Sequence, residues 1–241
     1  MSVRTLASIA ADMASTNPSK RIEGAIDFVR AEGRCDTFLV AYKDAATDAF
    51  VRIAERGYGE AAASFLTGDI EFRPEFERQF NRFDYVFDWT EVPDFETSYT
   101  ARSVLRPAGF NNGIMMLLHD DNGEIIGMCH GNVEHREFPR VGKELIEKMR
   151  PVFTSYARDQ RRKAHFRLTP REVQILDLIR KGMSNAEIAE FLVLSPRTVS
   201  RHVENVLHKL GVPNRVMAAV YATELGFGSH ERTVDGIACP A

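Results

Sequence analysis

Residues 168–226 constrain this chain more than any other stretch, because they mark where four short helices must begin and end. Thr169-Pro170-Arg171-Glu172 combines an N-cap, a proline at the first helical position and a glutamate placed to return a bond to the cap. Ser184-Asn185-Ala186-Glu187 repeats the box, Ser195-Pro196 opens a third helix in the same way, and Asn214 is placed to cap a fourth. Gly182 and Gly211 stand where C-terminal stops are needed. Short capped helices joined by tight turns make a helix-turn-helix arrangement.

The apolar pattern agrees. Val173, Leu176 and Ile179 line one face of the first helix, and Ile188, Ala189 and Leu192 line the second. Val199, Val203, Val206, Leu207 and Leu210 run down the third, and Val216, Ala219, Val220 and Leu225 fall in or near the fourth. The outer face of the third helix is left with Arg197, Thr198, Ser200, Arg201, Glu204, Asn205 and His208. These hydrogen-bonding side chains gather near a helix N-terminus, where backbone N–H groups also favour phosphate. A helix lying in the major groove of DNA needs this mixture of phosphate donors and side chains that reach base edges. On pattern alone, a solvated bundle or a protein-binding module fits the same helices.

The stretch resembles the LuxR-type helix-turn-helix domain along nearly its whole length. The matching residues are Leu168-Thr169-x-Arg171-Glu172, Gly182-x-Ser184-Asn185-x-Glu187-Ile188-Ala189, Leu192, Ser195-x-x-Thr198-Val199-x-x-His202 and Lys209-Leu210-Gly211-Val212-x-Asn214-Arg215. The resemblance implies that residues 195–210 form the recognition helix and that the helix beginning near Asn214 serves in dimerisation. Many members carry a lysine directly after the Thr-Val pair, where this chain has Ser200 followed by Arg201. Glu204 further lowers the positive charge of the face, so no base preference carries over. Ser200 and Arg201 are expected to read bases, with Glu204 and Asn205 secondary. Ser195, Arg197, Thr198 and the arginines of residues 158–163 are expected at phosphates, and His202 either contacts DNA or supports the helix.

Charge is unevenly distributed. Of the chain's 241 residues, with a net charge of −3, residues 158–241 hold 13 Lys/Arg against 9 Asp/Glu, leaving residues 1–157 strongly acidic. A mildly basic C-terminal part beside an acidic partner suits a DNA-binding module attached to something that avoids DNA. The excess is modest, which points to two copies acting together as a homodimer. No stretch approaches 18 apolar residues, and residues 1–15 lack the apolar region of a signal peptide, so a cytoplasmic protein with no membrane partner is expected. Cys35, Cys129 and Cys239 are odd in number and widely spaced, which speaks against a disulfide framework or a zinc site and for a reducing compartment.

Residues 1–157 read as a first domain, 158–167 as a charged linker, 168–226 as the helix-turn-helix domain and 227–241 as a loose tail. Helices are expected over 3–14 and 17–33, then strands over 36–43 and 50–55, and a Gly- and Ala-rich connector over 57–68 with a helical turn or two. Phe72, Phe76 and Phe80 give residues 71–82 an aromatic helical stripe, and 96–105 reads as a further helix. Strands over 112–119 and 124–134 flank Asp120-Asp121-Asn122-Gly123, a strong turn signal. A long helix starts at Pro139, with Pro151 a candidate kink. The fold class is therefore α+β, an antiparallel sheet flanked by helices, followed by an all-α four-helix domain. The order of elements is similar to GAF or PAS sensor domains. Residues 104–138 in particular resemble sensor modules found ahead of LuxR-type domains, through Leu105-Arg106-Pro107-x-Gly109, Ile126-Gly127 and Glu137-Phe138-Pro139.

A small-molecule pocket would lie between the sheet and the helices over one face. Its candidate lining is Tyr85, Phe87, Trp89, Tyr99, Met115, Leu117 and Cys129, with Arg102 to pair a carboxylate. Aromatic and methionine residues at such spacings serve equally as core. His119, Cys129, His130 and His135 match no common zinc spacing, so neither metal nor cofactor is expected. The hairpin signals contradict a phosphorylated receiver domain, which needs a parallel sheet. Acyl-homoserine-lactone receptors of the LuxR type have a similar length, but they carry several Trp and Tyr residues and an Asp-Pro step, where this chain has a single tryptophan and Asp88-Trp89. A first domain that only dimerises is the remaining alternative. No G-x-S-x-G, Walker loop or H-E-x-x-H is present, so an enzyme is not expected.

Overall fold

The computed structural model describes residues 6–15, 17–68 and 85–227. The helix expected over 71–82 and the tail after residue 227 lie outside them. The described chain separates into two compact units, the first made of residues 6–15 and 20–161 and the second of residues 17–19 and 162–227.

In the first unit, α1 (Leu6–Met13) and α2 (Pro18–Gly33) precede β1 (Thr37–Lys43) and β2 (Phe50–Arg56). The expected connector contains a nine-residue helix, α3 (Glu60–Gly68), which buries Ala62, Ala63, Phe65 and Leu66. Then come β3 (Phe87–Asp88), β4 (Asn112–His119) and β5 (Ile125–Val133), all in one sheet of order β2-β1-β5-β4-β3. Every described pairing is antiparallel. The β4–β5 hairpin closes as its Asn-Gly signal predicts: Gly123 N–H donates to the Asp120 carbonyl, and the Asp120 carboxylate accepts from Asn122 and Glu124 N–H.

Residues 96–105 are not the α-helix expected. A 3-10 turn at Phe95–Thr97 is followed by a π-helix at Thr100–Leu105, in which Arg106 N–H reaches the Ala101 carbonyl. The wider turn keeps Thr100, Ala101 and Leu105 all buried, so packing overrides local propensity here. Helix α4 runs Arg140–His165, through Pro151 and through most of the residues expected as the linker.

The sheet is covered on both faces, which explains why β4 is a continuous apolar run rather than an alternating one. One face packs Leu39, Met115, Leu117 and Met128 against Leu66, Trp89, Phe95 and Leu105. The other packs Val40, Ile114, Met116 and Cys129 against Ile26 of α2 and Ile146 and Phe153 of α4. Helices α2 and α4 meet where Gly142 approaches Gly33, and a side chain at 142 would run into the Gly33 carbonyl oxygen.

The second unit contains α5 (Pro170–Arg180), α6 (Asn185–Phe191), α7 (Pro196–Leu210) and α8 (Arg215–Glu224). Both capping boxes form in full: Thr169 with Glu172, and Ser184 with Glu187. Ser195 Oγ accepts from Thr198 N–H, and Asn214 caps α8 through Met217 N–H. Gly182 and Gly211 take positive φ at the two stops (83° and 65°), a conformation costly for any residue with a Cβ. Ile175, Ile179, Ile188, Val199 and Val203 fill one part of the core, and Leu176, Val206, Leu210, Ala218 and Ala222 fill the other.

Candidate functional site

Helix α7 has an exposed polar face. Its buried side carries Val199, Val203, Val206 and Leu210, which leaves Arg197, Arg201, Glu204, Asn205 and His208 exposed. These positions recur at helical spacing, so they form one continuous stripe. Of the other expected contact residues, Ser195 is exposed, whereas Thr198, Ser200 and His202 are half-buried. Ser195 Oγ is occupied by the cap and lies 2.8 Å from Thr198 Oγ1. Ser200 is half-buried, and its hydroxyl oxygen accepts from Asn185 Nδ2 at 3.2 Å. His202 is half-buried with its Nδ1 enclosed and without a partner among the described residues.

Two long-range arrangements hold this face in place, and neither could be read from sequence spacing. Glu172 Oε2 accepts from Thr169 N–H at 2.8 Å and from Lys209 Nζ at 2.7 Å, joining the start of α5 to the end of α7. Lys209 also donates to the Arg167 carbonyl. Burial pushes the Glu172 carboxyl up, but Lys209 and Thr169 outweigh it and hold the group below the ordinary carboxylate range. Arg215 donates to Asn185 Oδ1 and to the Met183 carbonyl, so α8, α6 and the Ser200 hydroxyl share one chain of hydrogen bonds. The only sequence signal for these roles was that Glu172, Asn185, Lys209 and Arg215 are all positions of the resemblance.

Of the arginines expected at phosphates, Arg158 pairs with Asp121 and Arg161 with Glu124 of the β4–β5 turn. Their charges are engaged within the first unit.

In the first unit, Phe87, Trp89 and Met115 do come together. They line a half-open cavity with Asp88, Val92, Phe95, Gly113, Ile114 and His130. Leu117 belongs to the same core face but is not part of the lining. The remaining candidates are elsewhere. Cys129 lies on the opposite face of the sheet, because successive strand residues alternate sides and His130 faces the cavity. Tyr85, Tyr99 and Arg102 are exposed and outside the lining. Burial pushes the Cys35 thiol up to about 12, with Asp36 adding to the shift, and burial likewise raises Cys129, so neither presents a ready thiolate.

A buried polar ladder stands behind the cavity. Tyr58 OH donates to Asn132 Oδ1 at 2.7 Å and sits 3.1 Å from His130 Nδ1, which makes Nδ1 the protonated ring nitrogen. Asn132 N–H donates to Thr37 Oγ1, and Asn132 Nδ2 to the Asn112 carbonyl. Burial pulls His130 down to about 4, so the ring is neutral near pH 7. At the cavity rim, Lys143 of α4 bridges Asp88 at 2.6 Å and Glu91 at 2.8 Å. Asp88 and Glu91 form a capping box around the 3-10 turn Trp89–Glu91, so Trp89 is held by a clasp onto α4.

Residues 167–222 match the family model "Bacterial regulatory proteins, luxR family". The transcriptional regulatory protein LiaR of Bacillus subtilis is 50% identical over 58 residues, 24% of this chain and 28% of LiaR. The response regulator VraR of Staphylococcus saprophyticus is 48% identical over 79 residues, 33% of this chain and 35% of VraR. The chain thus spans about a third or less of the length of these relatives. A GAF domain of a phosphoenolpyruvate-protein phosphotransferase from Coxiella burnetii aligns with a TM-score of 0.50 at 12% identity, over 66% of this chain and 94% of that one. That likeness concerns the fold alone.

Proposed function

We propose that this chain, an α+β domain of GAF-like fold followed by a LuxR-type helix-turn-helix domain at residues 167–222, is a DNA-binding transcriptional regulator whose first unit controls its second in response to a small molecule. The observation that carries the reading is the exposed stripe Arg197, Arg201, Glu204, Asn205 and His208 on α7. It offers two fixed cations, acceptors and amide groups on a helix whose opposite side is locked into a core. Arg201, one turn in from the helix start, is the first choice for a base edge, with Asn205 and Glu204 beside it. Arg197 and the Ser195–Thr198 cap lie at the helix start, where phosphate is favoured. Ser200 contributes through its hydroxyl hydrogen, since its oxygen already accepts from Asn185. His202, half-buried, supports the helix from below.

The working form is a homodimer on two half-sites. Val216, Met217 and Val220 are exposed on α8, and this apolar strip suits a second copy of the same helix. The signal acts as a population shift, by changing the state of α4, which leads into the DNA-binding unit. Among the described residues no helix is long and apolar enough to cross a membrane.

The test is selection of DNA sites from a random duplex pool with the full chain, followed by affinity measurement for Arg201→Ala. The variant is expected to lose about 1–3 kcal/mol on the selected site and to relax preference at one base position. An unchanged preference at every position would remove Arg201 from base readout. Failure to enrich any duplex would remove the DNA-binding reading itself.

A further inference from the structure

Ser200 lies on α7 three residues after Arg197 and four before Glu204, so its side chain borders the exposed stripe. A serine inside a helix commonly returns its hydroxyl hydrogen to the carbonyl four residues earlier. Here the partner of the hydroxyl among the described residues is instead Asn185 of α6, whose Nδ2 donates to the Ser200 oxygen at 3.2 Å. The direction of that bond is set one step further back. Arg215, at the start of α8, holds Nη1 3.3 Å from Asn185 Oδ1 and donates from Nη2 to the Met183 carbonyl. A guanidinium has donors only, so the amide turns its oxygen to Arg215 and its NH2 to Ser200. The NH2 also has donors only, so Ser200 accepts, and its one hydrogen points away from Asn185. Each bond in this chain fixes the direction of the next.

That direction matters in the major groove. Guanine presents the acceptors N7 and O6 there and thymine the acceptor O4, whereas cytosine presents the N4 amino donor. A serine free to rotate reads either kind of edge. A hydroxyl held as a donor matches guanine or thymine and opposes cytosine.

We propose that Asn185 is a positioning residue for base readout: oriented by Arg215, it holds Ser200 as a hydrogen-bond donor and makes the chain select guanine or thymine over cytosine at the base facing Ser200. The proposal rests on the reading of α7 as the DNA-reading helix and adds to it the kind of base edge that is chosen.

The test is site selection from a random duplex pool with the full chain, comparing wild type, Ser200→Ala and Asn185→Asp. Ser200→Ala is expected to mark the position concerned by lowering discrimination there about fivefold or more. Wild type is expected to disfavour cytosine at that position. Asn185→Asp keeps an acceptor for Arg215 but offers Ser200 a carboxylate oxygen instead of an NH2. The hydroxyl then turns its hydrogen to residue 185 and shows its lone pairs to the groove. Preference at that position is expected to invert, toward cytosine or the amino group of adenine, while the other positions keep theirs. The added negative charge weakens binding to every duplex alike, so it does not alter the ratio between sites. Combined with Ser200→Ala, Asn185→Asp is expected to leave no preference there.

An unchanged preference in Ser200→Ala or in Asn185→Asp overturns the proposal. So does an inversion that persists without the hydroxyl, which would put residue 185 itself on the base. Where Asn185→Asp does not fold or bind, Asn185→Ala decides: it frees the hydroxyl and is expected to relax that one position. A loss spread evenly over all positions, or no change at that one, overturns the proposal while the DNA-binding reading stands. A wild type that enriches no duplex removes both.

Discussion

Glu172 serves two elements with one oxygen. It accepts from the Thr169 N–H that opens α5 and from the Lys209 ammonium at the end of α7, while only 3% exposed. A buried carboxylate is stable only when its partners offset the lost hydration, and here they do so enough to lower its pKa. Because the folded pKa is depressed, the stabilisation is fully present above the unfolded carboxylate value and is lost as pH falls through the folded one. Glu172→Gln keeps an acceptor for Thr169 but leaves Lys209 without its carboxylate. It is expected to cost about 1.5–3 kcal/mol at pH 7, read by urea unfolding of the full chain. The variant's stability is also expected to fall less steeply than the wild type's between pH 5 and pH 3. Equal stability at pH 7 would mean that Glu172 acts as a cap alone. This residue also shows what was legible beforehand. Its capping role follows from Thr169 three positions away, whereas its pairing with Lys209 depends on how two helices meet and has no local signature.

The same division between local and long-range causes holds for elements. The four helices of the second unit were readable because caps, proline and glycine act within a few residues. The β4–β5 hairpin was readable for the same reason. The segment from β3 to β4 was not, since its 3-10 and π turns follow from burying Trp89, Phe95, Ala101 and Leu105 together. The cavity is half legible: Phe87, Trp89 and Met115 line it as expected, but His130 has no local signal that places it there and Cys129 faces the other way. What joins this irregular segment to a regular element is Lys143, whose ammonium bridges Asp88 and Glu91. Lys143→Met removes the cation and leaves two carboxylates, Asp88 with its side chain 11% exposed, beside an apolar chain. The expected loss is about 1–3 kcal/mol in the unfolding of the first unit, tempered because Lys143 and Glu91 are partly solvated. The long-wavelength tryptophan band of the near-ultraviolet circular dichroism, which reports the single tryptophan, is expected to change as well, because the turn carrying Trp89 loses its anchor. Unchanged stability together with an unchanged tryptophan signal would show that Lys143 is not what holds the turn.

At the scale of the molecule, two separate cores accompany the split in charge. The clusters around Phe38, Phe153, Trp89 and Met115 draw on residues before 162, and those around Ile175, Val206 and Ala222 draw on residues after it. A regulator of the kind proposed needs this independence, because a first unit that changes state must not unfold the DNA-binding face. Phe153 offers the means to test it. It is fully buried on α4 with its ring 5.3 Å from that of Phe38, so Phe153→Ala is expected to cost about 3–5 kcal/mol through lost contact and the cavity left behind. If the cores are energetically separate, calorimetry of the full chain shows two transitions, and the variant lowers one of them while the other stays within a degree or so of its wild-type value. Amide exchange then adds the location: protection falls in β1, β4, β5 and the first part of α4, and persists at Val199, Val203 and Val206 of α7. A single transition that shifts as a whole, with protection lost equally at those valines, would mean that the units unfold as one and that control of DNA binding has to be sought in global stability rather than in a change of state of the first unit.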